Sequence, residues 1–414
     1  RCSRRDGTLA KSSPAMSRHA LSRRIAALRL PPDYSRWWVR WPAAGLIVLF
    51  TAMIVPRFWC GRDAIRWLAN DGDLVLAHAR AVAASVEAGV QVEDLSAQRD
   101  FFHNEWLLGT YQMAALGLLQ VCLELPERRA EFLPVAERAI DELLSERVRA
   151  FDTVRWREDP LASLDGPRGH AAYLGYLNLV LSLHRRVVPD SRFSDLNDRI
   201  SAALARRLQA SRHGILETYP LEGYPVDNAA VLGSLLLHAR NTGADYSAVA
   251  PAALARFSIA WLDPRSGLLF QSINPRDGKP AAAARASGTA RAAFLLSYGE
   301  RAVSGILFAA VRDRCADSFW GFGYLNEHHI GSAAPGIGDS DSGPLVLGVS
   351  PFASGFALGG ARVFDDRRLF VSLYRTAHLA GTPVASGDRR VFVTGGPLGN
   401  AIMLAMLTAR SEAP

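Results

Sequence analysis

From residue 60 onward the chain alternates two kinds of apolar segment. One kind is apolar on every side and rich in Gly and Ala: EWLLGTYQMAALGLLQVCLEL, YLGYLNLVLSLH, NAAVLGSLLLHA, GTARAAFLLS and PLVLGVSPFASGFALGGA. The other kind is amphipathic and rich in Arg and Glu, as in RAEFLPVAERAIDELLSER and SDLNDRISAALARRLQA. Their 3.6-residue spacing predicts helices over about 62–90, 103–124, 127–150, 169–187, 191–211, 227–241, 246–261, 286–298, 300–315, 344–362 and 399–409. A helix apolar all round is buried, whereas an amphipathic one faces water on one side. Inner and outer helices in alternating pairs predict an all-α (α/α)6 barrel, a toroid closed on itself. The units differ in length and share no motif, which excludes a solenoid of matched repeats.

The connections leading to inner helices are long, polar and aromatic, notably DPRSGLLFQSINPRDGKPAAAARAS and GFGYLNEHHIGSAAPGIGDSDSG. Long loops in a compact domain carry function, so the cavity mouth is expected among them. LLFQSI between two turn clusters predicts a short β-hairpin at the rim.

Ahead of the barrel stands a different pattern. Pro42 to Val55 holds no charge, and Trp37, Trp38, Trp41 and Trp59 flank it. The 22 residues from Trp38 to Trp59 match the length of a spanning helix, with aromatic residues at both interfaces. The expected organisation is a basic, disordered cytoplasmic segment over 1–40, a transmembrane anchor over 41–59 and the catalytic barrel over 62–414. The Arg-rich flank inside and the long domain outside follow the positive-inside rule, giving a single-pass protein with its large domain periplasmic or otherwise extracytoplasmic. No small-residue cleavage pattern follows the segment, which favours an uncleaved anchor over a signal peptide.

Charge changes the picture only locally. The net charge is +7, but residues 1–40 hold ten of the Lys and Arg and two acids, leaving 37 basic and 38 acidic residues elsewhere. The body is neutral, so no nucleic-acid partner is expected. Cys2, Cys60, Cys122 and Cys315 have neither paired spacing nor a disulfide framework, and Cys122 and Cys315, in or near apolar helices, read as buried thiols. Glu327, His328 and the adjacent His329 lack the i, i+4 spacing of a helical zinc site. An EF-hand counted from Asp339 would need Gly and Glu where Pro344 and Ser350 stand. No metal and no cofactor is expected. The expected partners are a small-molecule substrate and the membrane through residues 41–59, with a homo-oligomer left open.

The segment HGILETYPLEGYPVDNAAVLGSLLLHARNTGADY carries the candidate chemistry. It sets Glu217 and Asp227 on a turn-rich stretch that feeds an apolar helix, with Asp227 or Asn228 as its N-cap. Two carboxyls in one dry cavity push their pKa values apart, leaving one protonated and one ionised, which suits acid/base work on an oxygen leaving group. The alternative is an ordinary cap. Tyr176 donates to a substrate oxygen or anchors its helix. His103 and Glu105 open the first inner helix and are candidates for proton transfer, as Asp341 is at the mouth; capping and solvated roles are their alternatives. Trp106, Tyr111, Tyr219, Tyr224 and His329 are expected to contact substrate, with Trp320 and Tyr324 further aromatic candidates near the mouth.

Taken together, four segments between about residues 105 and 366 resemble the linalool dehydratase/isomerase family of (α/α)6 barrels. They are YLGYLNLVLSLHRRV, the GIL…DNAAVLGSLLLHARNTGADY stretch, WLDPRSGLLFQSINPRDGKP and DSDSGPLVLGVSPFASGFALGGARVFDD. The resemblance implies the barrel and a dehydration or isomerisation of an alcohol- or alkene-containing, terpenoid small molecule. Where that family has two cysteines, Glu217 and Asp227 stand here, and Tyr176 stands at the family's histidine. Thiol chemistry is therefore replaced by carboxylate chemistry at those positions. Hydrolysis or epimerisation of a cell-envelope glycan is the alternative, since carboxylate pairs also serve sugars; a non-catalytic ligand-binding barrel is a third.

Overall fold

The computed structural model describes residues 37–91, 103–332, 338–339 and 342–410. Residues up to Pro56 form one unit and Arg57–Pro414 a second. The first unit is most of helix α1 (Trp37–Gly61), in which Trp37, Trp41, Leu46, Ile47, Val48 and Phe50 are all exposed. It is long and apolar enough to cross a membrane, and the most apolar 18-residue window within Trp37–Leu68 is only 6% buried. Of the expected basic segment, residues 1–36 lie outside the described residues.

The second unit runs α2 (Ala64–Leu68), α3 (Gly72–Ala88), α4 (His103–Glu124), α5 (Arg129–Leu143), α6 (Glu146–Trp156), α7 (Ala171–Val187), α8 (Ser194–Ala210) and α9 (Pro225–Thr242). There follow α10 (Ala250–Ala255) with a π turn, α11 (Ala286–Ser297), α12 (Arg301–Cys315), α13 (Pro351–Val363), α14 (Arg367–Gly381) and α15 (Gly396–Leu407). Helices α4, α7, α9, α11, α13 and α15 pack each against the next, and α15 closes back on α4. That ring of six inner helices, backed by outer ones, is an (α/α)6 barrel. Helix α4 shows the physical basis: it is apolar enough to span a membrane, yet 83% of its most apolar 18-residue window is buried. Gln112 and Gln120 on it are also buried, Gln120 donating to the Ala405 carbonyl of α15 at 2.9 Å.

Small residues set how closely the inner helices approach. A Cβ on Gly175 of α7 would lie 2.9 Å from Val231 Cγ2 and 3.1 Å from Val231 N of α9. One on Gly233 of α9 would lie 2.3 Å from the Leu295 carbonyl oxygen of α11. The Gly content of these apolar segments is thus a packing requirement, because backbone meets backbone.

The expected hairpin at LLFQSI is instead a set of isolated bridges, Leu262 to Leu269, Phe270 to Ala284 and Ile273 to Pro280. The turn clusters bring these strands together over single pairs only. Regular two-stranded hairpins among the described residues are β1 (Ala316–Phe319) with β2 (Phe322–Leu325), β3 (Gly338–Asp339) with β4 (Gly343–Pro344), and β5 (Pro383–Ser386) with β6 (Arg389–Phe392). The helix expected from Pro344 starts at Pro351, because Ser350 caps it, accepting the Ala353 N–H at 3.1 Å. Outer helix α14 has no counterpart in the periodicity reading.

Candidate active site

The first turns of all six inner helices converge on one cavity of about 640 Å³. Glu105 and Trp106 come from α4, Tyr176 from α7, Asp227 from α9, Ser287 and Arg291 from α11, Phe352 and Phe356 from α13, and Leu398 and Ile402 from α15. The turn segment before α9 adds Thr218, Tyr219, Glu222 and Tyr224.

That segment is held by Asn228. Its Oδ1 accepts the Leu216 N–H (2.8 Å), while its Nδ2 donates to the Leu216 and Tyr224 carbonyls (both 3.0 Å). Neither Asn228 nor Asp227 is the N-cap that the sequence suggests: α9 begins at Pro225, which needs no N–H partner, placing Asp227 inside the first turn. The turn itself closes by Thr218 N–H to Glu222 O (2.8 Å) and Glu222 N–H to Tyr219 O (2.9 Å), with Leu221 in the left-handed region. Gly169 lets it sit against α7, since a Cβ there would fall 2.1 Å from the Glu217 carbonyl oxygen. Trp156 Nε1 donates to Thr218 O at 3.0 Å. The Trp156 ring packs 4.7 Å from His170, whose Nδ1 lies 2.5 Å from Asp152 Oδ2. His170 is therefore a buried prop beneath the turn rather than a cavity residue.

The result is a buried carboxyl with a defined surround. Tyr176 Oη donates to Asp227 Oδ1 at 2.6 Å and Thr218 Oγ1 to Oδ2 at 2.7 Å. Burial raises the Asp227 pKa above the ordinary carboxylate value; the two hydroxyls and the Arg291 charge pull the other way. Desolvation is the largest effect and sets the upward direction of the shift. A second pair lies on the same wall: Tyr219 donates to Glu105, and Arg155 covers the Tyr219 ring at 4.9 Å. Burial, then the Glu105 charge and hydrogen bond, hold the Tyr219 hydroxyl protonated.

Several expected site residues stand elsewhere. Glu217 is half-buried and outside the cavity wall; its Oε1 accepts the Leu221 N–H at 3.3 Å. Burial also raises its pKa, but the charge acting on it is that of Arg276. The structure thus does not set Glu217 beside Asp227 on the cavity wall as a carboxyl pair; the Glu217 carboxylate is engaged by the turn's own backbone at Leu221. Tyr111 is fully buried in the core, accepting the Val90 N–H at 3.0 Å. His329 lies off the cavity wall. Trp320 and Tyr324 belong to the β1–β2 hairpin and are likewise off the cavity wall. Asp341 is outside the described residues, and His103 contributes only its backbone to them. Glu105, Trp106, Tyr176, Tyr219, Tyr224 and Asp227 do line the cavity.

Sequence reasoning passed over Thr218, Glu222, Arg155, Arg285 and Arg291. Arg291 had a readable signal, as the single charge within GTARAAFLLS. Among the described residues no group of three His, Cys, Asp or Glu is placed to hold a metal. Cys122 and Cys315 are buried, and burial pushes both thiols up to about 12.

No protein-family profile and no curated protein sequence matches the chain. Solved structures do. The unsaturated glucuronyl hydrolase of Bacillus sp. GL1, responsible for glycosaminoglycan degradation, aligns with a TM-score of 0.51 at 14% identity, covering 84% of this chain and 96% of that one. A GH76 α-mannanase of Bacteroides thetaiotaomicron aligns at 0.46 and 11% identity, covering 80% and 94%. The likeness is one of fold.

Proposed function

We propose that the protein is a membrane-anchored enzyme that hydrolyses or epimerises a cell-envelope glycan by carboxylate acid/base chemistry in the inner-helix cavity. The observation that carries this reading is Asp227, buried on the cavity wall beneath the Tyr176 and Thr218 hydroxyls, with its pKa raised by that burial. A neutral carboxylic acid in that place protonates a glycosidic oxygen as the bond to the sugar breaks. Glu105, held by the Tyr219 hydroxyl, is the partner that takes a proton from water or from a sugar carbon. The composition of the wall supports a polyhydroxylated substrate. Glu105, Glu222, Arg155, Arg285, Gln271 and Ser272 offer hydrogen bonds beside the aromatic faces of Trp106, Tyr219 and Tyr224. Residues 41–59 serve as the anchor, with the barrel on the extracytoplasmic side.

A second reading is elimination of water from, or isomerisation of, an alcohol- or alkene-containing terpenoid. The hydrocarbon part of the wall, Leu108, Met113, Phe352, Phe356, Leu398 and Ile402, favours it. It would use the same Asp227 proton.

The test offers the full-length protein two panels, cell-envelope and matrix glycans in one and allylic terpene alcohols in the other, with products read by mass spectrometry. The glycan reading expects new reducing ends or epimers, reduced about 10²–10⁴-fold in Asp227→Asn, the usual worth of general acid catalysis. Conversion of the alcohols alone would transfer the conclusion to the second reading. Equal turnover by Asp227→Asn would remove Asp227 from both.

A further inference from the structure

Three arginines line the cavity, and two of them are engaged with acids or with the Tyr219 pair. Arg285 lies 3.7 Å from the Glu327 carboxylate, and Arg155 covers the Tyr219 ring whose hydroxyl binds Glu105. Arg291 differs. Among the described residues it makes no hydrogen bond and has no carboxylate within ion-pair distance, and its Nε is buried without an acceptor. The guanidinium is held instead by aromatic faces, 4.5 Å from the Tyr176 ring centre and 5.7 Å from that of Phe356. Such stacking fixes the plane of the group and leaves its outer N–H edge free to bind.

An unpaired cation in a partly dry cavity is costly unless something arrives to pair with it. Asp227 is the acid whose titration Arg291 influences, and burial works against its ionisation.

We propose that Arg291 is a substrate-binding subsite for an oxyanion substituent, a carboxylate or sulfate carried on the sugar that occupies the cavity beside Asp227. The identity of the group bearing the anion rests on the glycan reading; the anion subsite does not. Two parallel N–H donors suit either oxyanion, and charge-assisted bonds of this kind are about twice as strong as neutral ones. The bound anion would also disfavour ionisation of Asp227, keeping the acid loaded while substrate is present.

Binding to the full-length protein is measured calorimetrically with galacturonate, galactose 6-sulfate, galactose and propionate. The wild type is expected to bind one of the acidic sugars at least about tenfold more tightly than galactose, and the better one identifies the oxyanion. Arg291→Gln is expected to bring that preference within twofold, and Arg291→Lys, which restores the charge, to recover part of it. A preference retained in Arg291→Gln, or galactose bound as well as both acidic sugars by the wild type, would overturn the subsite. Propionate bound as tightly as the acidic sugars, with the same dependence on Arg291, would uphold the anion subsite and count against the glycan.

Discussion

Removing the Asn228 side chain tests how the site is assembled. Asn228 is buried, and its three hydrogen bonds join the Leu216 backbone to the start of α9. In Asn228→Ala the Tyr224 carbonyl keeps the Asn228 backbone N–H at 3.2 Å, but Leu216 N–H and C=O both lose their partner. Each orphaned buried group costs about 1–3 kcal/mol, so the variant should lose about 2–6 kcal/mol. Asn228→Asp is the companion variant, since it keeps volume and the acceptor but sets a carboxylate against two carbonyl oxygens. It should lose at least as much as the alanine variant at neutral pH. Urea denaturation of both, followed by circular dichroism at matched detergent, reads the shift in midpoint. A loss below about 0.5 kcal/mol in Asn228→Ala, the range of an indifferent surface change, would mean that these bonds do not hold the turn to α9.

Further expectations follow from packing, protonation and the N-terminal helix. Gly233→Ala should destabilise by about 1–3 kcal/mol, because its methyl would meet the Leu295 carbonyl at 2.3 Å. Gly355→Ala on α13, where nothing lies within 4 Å, should stabilise by about 0.5–1 kcal/mol through helix propensity; equal effects in denaturation would contradict both. An Asp whose folded pKa is raised contributes stability that is present below its unfolded pKa and lost as pH rises through the folded one. The stability of Asp227→Asn relative to wild type should therefore grow as pH rises from 4 toward 8, and a difference that is flat or falling in thermal melts would argue against the raised pKa. Deleting residues 1–56 should release the protein from membranes into the high-speed supernatant, and a truncated chain that stays in the pellet as a folded protein would count against the anchor.

The barrel was legible because its inner helices differ in kind from its outer ones. A segment such as NAAVLGSLLLHA, apolar all round with Gly inside it, has no stable place except between other helices. Helix α14 was not legible in the same way. Its buried Phe370, Leu373, Tyr374 and His378 do repeat at helical spacing, but Arg367 and Arg368 precede them and Arg375 is interleaved with them. For the site, the carboxylate at Asp227 was readable from its place ahead of an apolar run, whereas its separation from Glu217 was not. Which way a turn residue points depends on the left-handed Leu221 and on the Asn228 bonds, and composition reveals neither. Arg291 stands out in the sequence as a lone charge, but its place on the cavity wall depends on the phase of α11, which turns Ser287, Gly288 and Arg291 to the cavity.

The account turns on Asp227 being a neutral carboxylic acid on the cavity wall. Its carboxyl carbon can be followed by ¹³C NMR in protein labelled at aspartate, the resonance being identified by its absence in Asp227→Asn. A titration midpoint above the ordinary 3.8 of an aspartate is expected. A midpoint at or below 3.8 would mean that the Tyr176 and Thr218 hydroxyls outweigh burial, and would contradict Asp227 as the proton donor.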